Sequence, residues 1–287
     1  MSEHVLNSNK QALLALHSAV LLFALSGLFA KWLALPAILI VFGRAFFAAI
    51  ALAAFIIIFK KKSLKCDRKT LFTLAVTGAI LAFHWGSFFQ AIQVSSVAIG
   101  LITFATFPVF VSFLGPYFFK EKFCYQALVQ ALLTVIGIIF IVPENSSQTD
   151  VLNGVCWGVV SALSFALLTL LNRKFVVSNS AKKIAFYQNS FAALFLLPFI
   201  ALAPKAISAE QLYVLAILGV FFTAVAHSIF NYSLKTLSAQ TASIAVTLEP
   251  IYGIMAAYFL LNEPISLVMI IGGGIVITAN VWSLKNI

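Results

Sequence analysis

The chain has 287 residues, of which 62% are hydrophobic and only 9% charged, and its formal net charge is +10. A soluble domain of this length could not keep so apolar a surface in water, so composition excludes that class and specifies an integral membrane protein. The three cysteines, Cys66, Cys124 and Cys156, are scattered, with neither disulfide nor metal-ligand spacing.

In chain order, a polar stretch over residues 1–10 precedes the first apolar run, and no small-residue cleavage site follows that run. It is expected to be a retained span rather than a signal peptide. Apolar windows of roughly 20 residues predict an all-α membrane protein of ten transmembrane helices. Their expected bounds are 11–30, 36–59, 70–92, 95–119, 124–142, 152–173, 182–203, 212–234, 238–260 and 264–284. Lys31 and Pro36 separate the first pair, and Lys60, Lys61 and Lys62 end the second helix. Pro143, Glu144, Asn145, Ser146 and Ser147 make the most loop-like stretch, which places a linker at 143–151.

Charge predicts orientation. With both termini inside, the inner loops and ends hold fifteen of the eighteen basic residues, and the outer loops hold only Lys31 and Lys205. Inner Lys and Arg set orientation during insertion, so the positive balance reads as topology and not as a nucleic-acid surface.

A repeat divides the chain. Phe107-Pro108 is followed, after twelve intervening residues, by Glu121; Glu249-Pro250 is followed at the same spacing by Glu263. The offset between the copies is 142 residues, and it also aligns Phe23-Ala24-Leu25 with Phe165-Ala166-Leu167 and Lys31 with Arg173. The two halves are therefore 11–142 and 152–284. Five helices per half is an odd number, so the second half is expected to enter the bilayer inverted, the arrangement that builds central sites reachable alternately from either side.

These residues resemble the EamA-type members of the drug/metabolite transporter superfamily. The resemblance runs from about residue 11 to 284. It rests on the two five-helix halves, on Pro108 with Glu121 and Pro250 with Glu263, on Arg44 within Gly43-Arg44-Ala45, and on Gly272-Gly273-Gly274 in the last helix. Pro264 follows Glu263 where Lys122 follows Glu121, so the two copies end differently. The resemblance implies a multi-pass transporter of the cell (inner) membrane that exports or exchanges small metabolites, often amino acids.

Candidate site residues are polar groups at depths where lipid penalises them, since these usually face protein or water along a pathway. Glu249 lies mid-span directly before Pro250, whose missing N–H frees a carbonyl; the carboxylate could bind a cation or load and release a proton. Its repeat equivalent is Phe107, so the fold itself does not require the charge. Arg44 is expected at similar depth, able to pair with Glu249 or to bind a substrate carboxylate in a fork. His84 and Trp85 follow on the third helix. Thr223, His227 and Asn231 form a stripe at i, i+4 and i+8 on the eighth, alongside His17, Gln188 and Asn189. Tyr252 is a candidate pocket wall. Pro108, Pro250, Glu121 and Glu263 are expected to be structural, the glutamates capping or packing at helix ends.

The function expected is a secondary transporter of small polar metabolites working by alternating access, with protons as a candidate coupling ion. Efflux of drug-like cations and uncoupled facilitation are the alternatives within that class. An intramembrane enzyme is disfavoured, because the chain has no His-Glu-x-x-His and no Cys/His cluster at a shared depth. No Gly-Lys-Ser/Thr phosphate loop is present, so ATP hydrolysis is not expected either. The partners expected are a small-molecule substrate and the lipid bilayer, with no nucleic acid and no cofactor or metal; the oligomeric state stays open between monomer and dimer.

Overall fold

The computed structural model describes residues 3–59, 64–120, 148–200 and 206–284, with a few helical positions between 129 and 140. The described residues form helices and no strands. The first half contains α1 (Glu3–Gly27), α2 (Phe29–Trp32), α3 (Ala37–Ala54) running into a π-helical turn (Phe55–Phe59), α4 (Arg68–Val94), α5 (Val97–Phe104) and α6 (Phe107–Phe119). The second contains α7 (Gln148–Phe175), α8 (Ala181–Ile200), α9 (Ala209–Gly219) with a π-helical turn (Val220–Val225) leading into α10 (Ala226–Ser233), then α11 (Ala239–Val246), α12 (Glu249–Leu261) and α13 (Leu267–Leu284).

Eight helical segments among the described residues are long and apolar enough to cross a membrane, and Leu267–Ala279 is a shorter apolar helix. The expected fifth span, 124–142, lies outside the described residues apart from those few helical positions. Caps define the starts. Asp67 accepts a hydrogen bond from Thr70 N–H at 2.9 Å to open α4, and Ser208 with Gln211 forms a reciprocal capping box at α9.

The 142-residue offset reappears in the backbone. α5 and α11 are eight residues each, opened by Ser96 and Ser238, whose hydroxyls accept from Ile99 N–H and Thr241 N–H. α6 and α12 are thirteen residues each and end at Lys120 and Asn262, both left-handed at φ 57° and 54°. One expectation needs correction here. Pro108 and Pro250 do not sit within continuous helices; each lies in the first turn of a new one, after a break at 105–106 or 247–248. Proline lacks an N–H and clashes with the preceding turn, so the first turn is where a helix tolerates it. Spans four and nine are thus half-helix pairs, and Glu249 stands at a helix start near mid-span.

The core is built where the halves meet. α4 packs against α7 and α8, α3 against α8, and α1 against α10. One close approach positions the site. A Cβ on Gly219 would lie 2.5 Å from Phe47 Cβ and 2.9 Å from Arg44 O, so only glycine lets α9 come this close to α3.

A buried charged pocket between the halves

Arg44 and Glu249 are 1% and 3% exposed, and both line one pocket with Phe23, Ser26, His84, Trp85, Phe165 and His227. With Phe104 of α5, residues from α1, α3, α4, α5, α7, α10 and α12 therefore converge, four elements from the first half and three from the second.

Arg44 is held from the side. Its Nε donates to Thr223 Oγ1 at 3.0 Å, and one terminal nitrogen donates to Phe222 O at 3.5 Å. Both partners belong to the π-helical turn, where Thr223 Oγ1 donates in turn to Leu218 O at 2.8 Å. A π turn exposes carbonyls that an α-helix would use, and such turns concentrate at functional sites. The guanidinium lies 4.1 Å from the Trp85 ring centroid and 5.2 Å from that of Phe89. This stacking fixes its plane while leaving donors for another partner.

Glu249 is less satisfied. Its Oε2 is buried with no hydrogen-bond partner, and among the described residues it makes no direct ion pair with Arg44. The two expected partners share the pocket without neutralising each other by contact. Where the second half carries this carboxylate, the first carries Phe107, stacked on Phe104 at 5.6 Å and set edge-on to Phe165 at 5.1 Å.

His84 is anchored to the other half. Its Nδ1 lies 2.8 Å from Ser161 Oγ and 3.1 Å from Ser161 O, and its ring stacks on Phe165 at 4.6 Å. A carbonyl only accepts, so Nδ1 carries the proton here. Trp85 and His227 are repeat equivalents, and their rings meet edge to face at 6.0 Å. Equivalent residues that touch each other lie close to the axis relating the halves, and the pocket surrounds that point.

The remaining candidates divide. Gln188, Asn189 and Asn231 are fully buried but sit beside the pocket rather than in its wall. Tyr252 is 38% exposed and His17 is exposed, so neither lines the pocket. Glu263 caps across the halves, its carboxylate accepting from Val97 N–H at 3.0 and 3.3 Å to close the start of α5. Glu121 lies outside the described residues. Sequence reasoning missed Ser161, Ser26 and Asn172. Serine is common in spans and gave no signal, and Asn172, next to Arg173, read as the end of a helix.

The space between these side chains is about 30 Å³, room for a water or two. The arrangement is a buried pocket with a cation and an anion that form no direct ion pair, and with aromatic walls.

The two halves match the model of the EamA-like transporter family at residues 10–142 and 152–284. The chain is 28% identical over 231 residues to the S-adenosylmethionine uptake transporter of Rickettsia conorii, covering 78% of this chain and 74% of that one. It is 26% identical over 256 residues to the transporter YxxF of Bacillus subtilis, covering 86% of this chain and 82% of that one. A solved crystal structure shares the fold at a TM-score of 0.71 and 14% identity, covering 96% of this chain and 99% of the other. The chain belongs to the EamA-like transporter family and is a multi-pass transporter of the cell membrane.

Proposed function

We propose that the protein is a secondary transporter of small zwitterionic metabolites, and that Arg44 and Glu249 bind the charged head of the substrate. The observation that carries this reading is the pair of opposite charges buried in one pocket without direct contact, Glu249 Oε2 having no hydrogen bond at all. A buried charge without a partner is costly. A substrate carboxylate in the fork of Arg44 and a cationic centre at Glu249 would relieve both. Trp85, Phe23 and Phe165 line the same space, and aromatic faces attract ammonium and sulfonium groups.

S-adenosylmethionine carries such a head, with a carboxylate, an ammonium and a sulfonium, and relatives of this chain are named for its uptake. The family resemblance alone favours export; these names point to import, and exchange between the two sides accommodates both. A space of about 30 Å³ is an order of magnitude below the few hundred that a metabolite needs. Loading therefore requires the halves to move apart on one side at a time, in keeping with an inverted repeat and with the N-in, C-in orientation expected from charge. Proton and substrate cation would exclude each other at Glu249, which gives antiport without long-range communication.

The test is counterflow in proteoliposomes with labelled S-adenosylmethionine, methionine and lysine in turn. Saturable exchange of a zwitterion, lost in Arg44→Ala at equal abundance, is expected. Unaltered exchange by Arg44→Ala would remove Arg44 from the site, and the absence of any zwitterion flux would refute the substrate class.

A further inference from the structure

Beside the charged pocket, α7, α8 and α10 enclose a second polar cluster with no charge in it. Asn172 Nδ2 donates to Asn231 Oδ1 at 2.9 Å, and Gln188 Nε2 donates to Asn172 Oδ1 at 2.6 Å. Three amides from three helices thus form one chain. Its ends are open: Gln188 Oε1 and Asn231 Nδ2 are buried without partners. Reversing all three amides exchanges the ends but still leaves one acceptor and one donor. Thr169 Oγ1, Asn189 Oδ1, His227 Nε2 and Ser228 Oγ, on the same three helices, are also buried and unpartnered.

So many orphaned polar atoms on three neighbouring helices are not a packing device. Each costs free energy comparable to a lost hydrogen bond, which apolar residues of similar shape would avoid. The first half avoids it: the equivalents of Asn172, Gln188, Asn189, Ser228 and Asn231 are Ala30, Phe46, Phe47, Gly86 and Phe89. The fold therefore does not need these groups. His227 links the two regions, since it lines the charged pocket and its Nδ1 lies 3.2 Å from Asn189 Nδ2.

We propose that this amide cluster binds the neutral, hydrogen-bonding body of the substrate when the pocket opens, while Arg44 and Glu249 hold its charged head. The inference rests on the preceding reading of the head site and extends it to a substrate class: an amino-acid head joined to a neutral heterocycle with donors and acceptors on its edge, such as a nucleobase. Amide side chains suit that edge because each offers a donor beside an acceptor, as in their pairing with adenine. Neutral ligands also suit the absence of charge among these side chains, where a charged guest would be left uncompensated.

The experiment uses the full chain in proteoliposomes and reads competition against labelled S-adenosylmethionine by unlabelled adenosine and unlabelled methionine. Two variants are compared with wild type: Asn172→Leu/Gln188→Met/Asn231→Leu, which removes all three amides with little change of volume, and Gln188→Met alone, which removes one open end and its bond to Asn172 while keeping the Asn172–Asn231 pair. Adenosine should compete in the wild type. In the triple variant its inhibition constant and that of S-adenosylmethionine should rise at least tenfold while that of methionine stays within about twofold, with a smaller shift of the same kind in Gln188→Met. Equal losses for methionine and S-adenosylmethionine, or no loss in either variant, would overturn the proposal and leave the cluster a solvated packing region. Methionine competition without any by adenosine in the wild type would overturn it too, with the head site standing. No binding of either zwitterion would refute the head site and this inference together.

Discussion

Glu249→Gln isolates the charge of the pocket from its shape. The substitution keeps side-chain size, and the buried Oε2 has no hydrogen bond to lose, so the protein should fold and be compared with wild type at equal abundance. What disappears is the attraction for a substrate cation. At about 4 Å and an effective dielectric near 20, that attraction is about 4 kcal/mol, roughly a thousandfold in affinity. Desolvating the cation takes back part of it, so the expected loss lies between about tenfold and a thousandfold. The assay is concentration-dependent counterflow of S-adenosylmethionine in proteoliposomes from pH 5.5 to 8.5. Wild-type affinity should fall as pH drops, because protons and substrate compete for one carboxylate, whereas the variant should be weak and flat across the range. An affinity within about threefold of wild type, with the same pH slope, would refute both the cation site and the competition.

Thr223→Val removes the oxygen that accepts from Arg44 Nε at 3.0 Å. A hydrogen bond to a charged group contributes about 1.5–3 kcal/mol, so substrate affinity should fall about tenfold or more; unchanged affinity would show that the π-helical turn does not position Arg44. In Gly219→Val the new side chain meets Phe47 and the backbone of Arg44; overpacking of about 1–3 kcal/mol should lower the melting temperature, and a neutral result would contradict the close approach of α9 to α3. Burial lifts the Glu263 carboxyl above its ordinary value of 4.5, against the pull of Val97 N–H and Lys31. The folded state then holds this proton more tightly than the unfolded one, so its contribution to stability is full at low pH and is lost as pH rises from 4.5 upward. Glu263→Gln should flatten melting temperature against pH in that window, and an unchanged slope would assign the dependence elsewhere. In a cysteine-free background, an impermeant maleimide applied to intact cells should label Ile207→Cys and spare Ser178→Cys; the reverse pattern would overturn the orientation expected from charge.

Several features were legible in the sequence because they depend on local chemistry. A bilayer demands apolar runs of a set length, so composition alone specified a helical membrane protein. The repeat was visible as a constant offset, and the backbone keeps it to the residue in the α5–α6 and α11–α12 pairs. Glu249 and Arg44 stood out because charge at mid-span is costly enough to need a reason. Position within a helix was less legible. Proline marks a disturbed helix without saying whether it kinks one or begins another, and here it begins α6 and α12.

What the sequence could not contain is the identity of neighbours across helices. That Arg44 spends its Nε on Thr223, 179 residues away, and not on Glu249 depends on a π turn and a glycine contact between α3 and α9. Tyr252 and Gly253 are adjacent in the chain, yet one is exposed and the other buried, because helix rotation is set by what packs against it. Asn172 looked like a helix end until α8 and α10 brought Gln188 and Asn231 to either side of it. Apolarity, length and repeat are properties of a segment and are written in its own residues. Which polar atoms find partners, and which are left without one, is a property of several segments at once, and only their packing decides it.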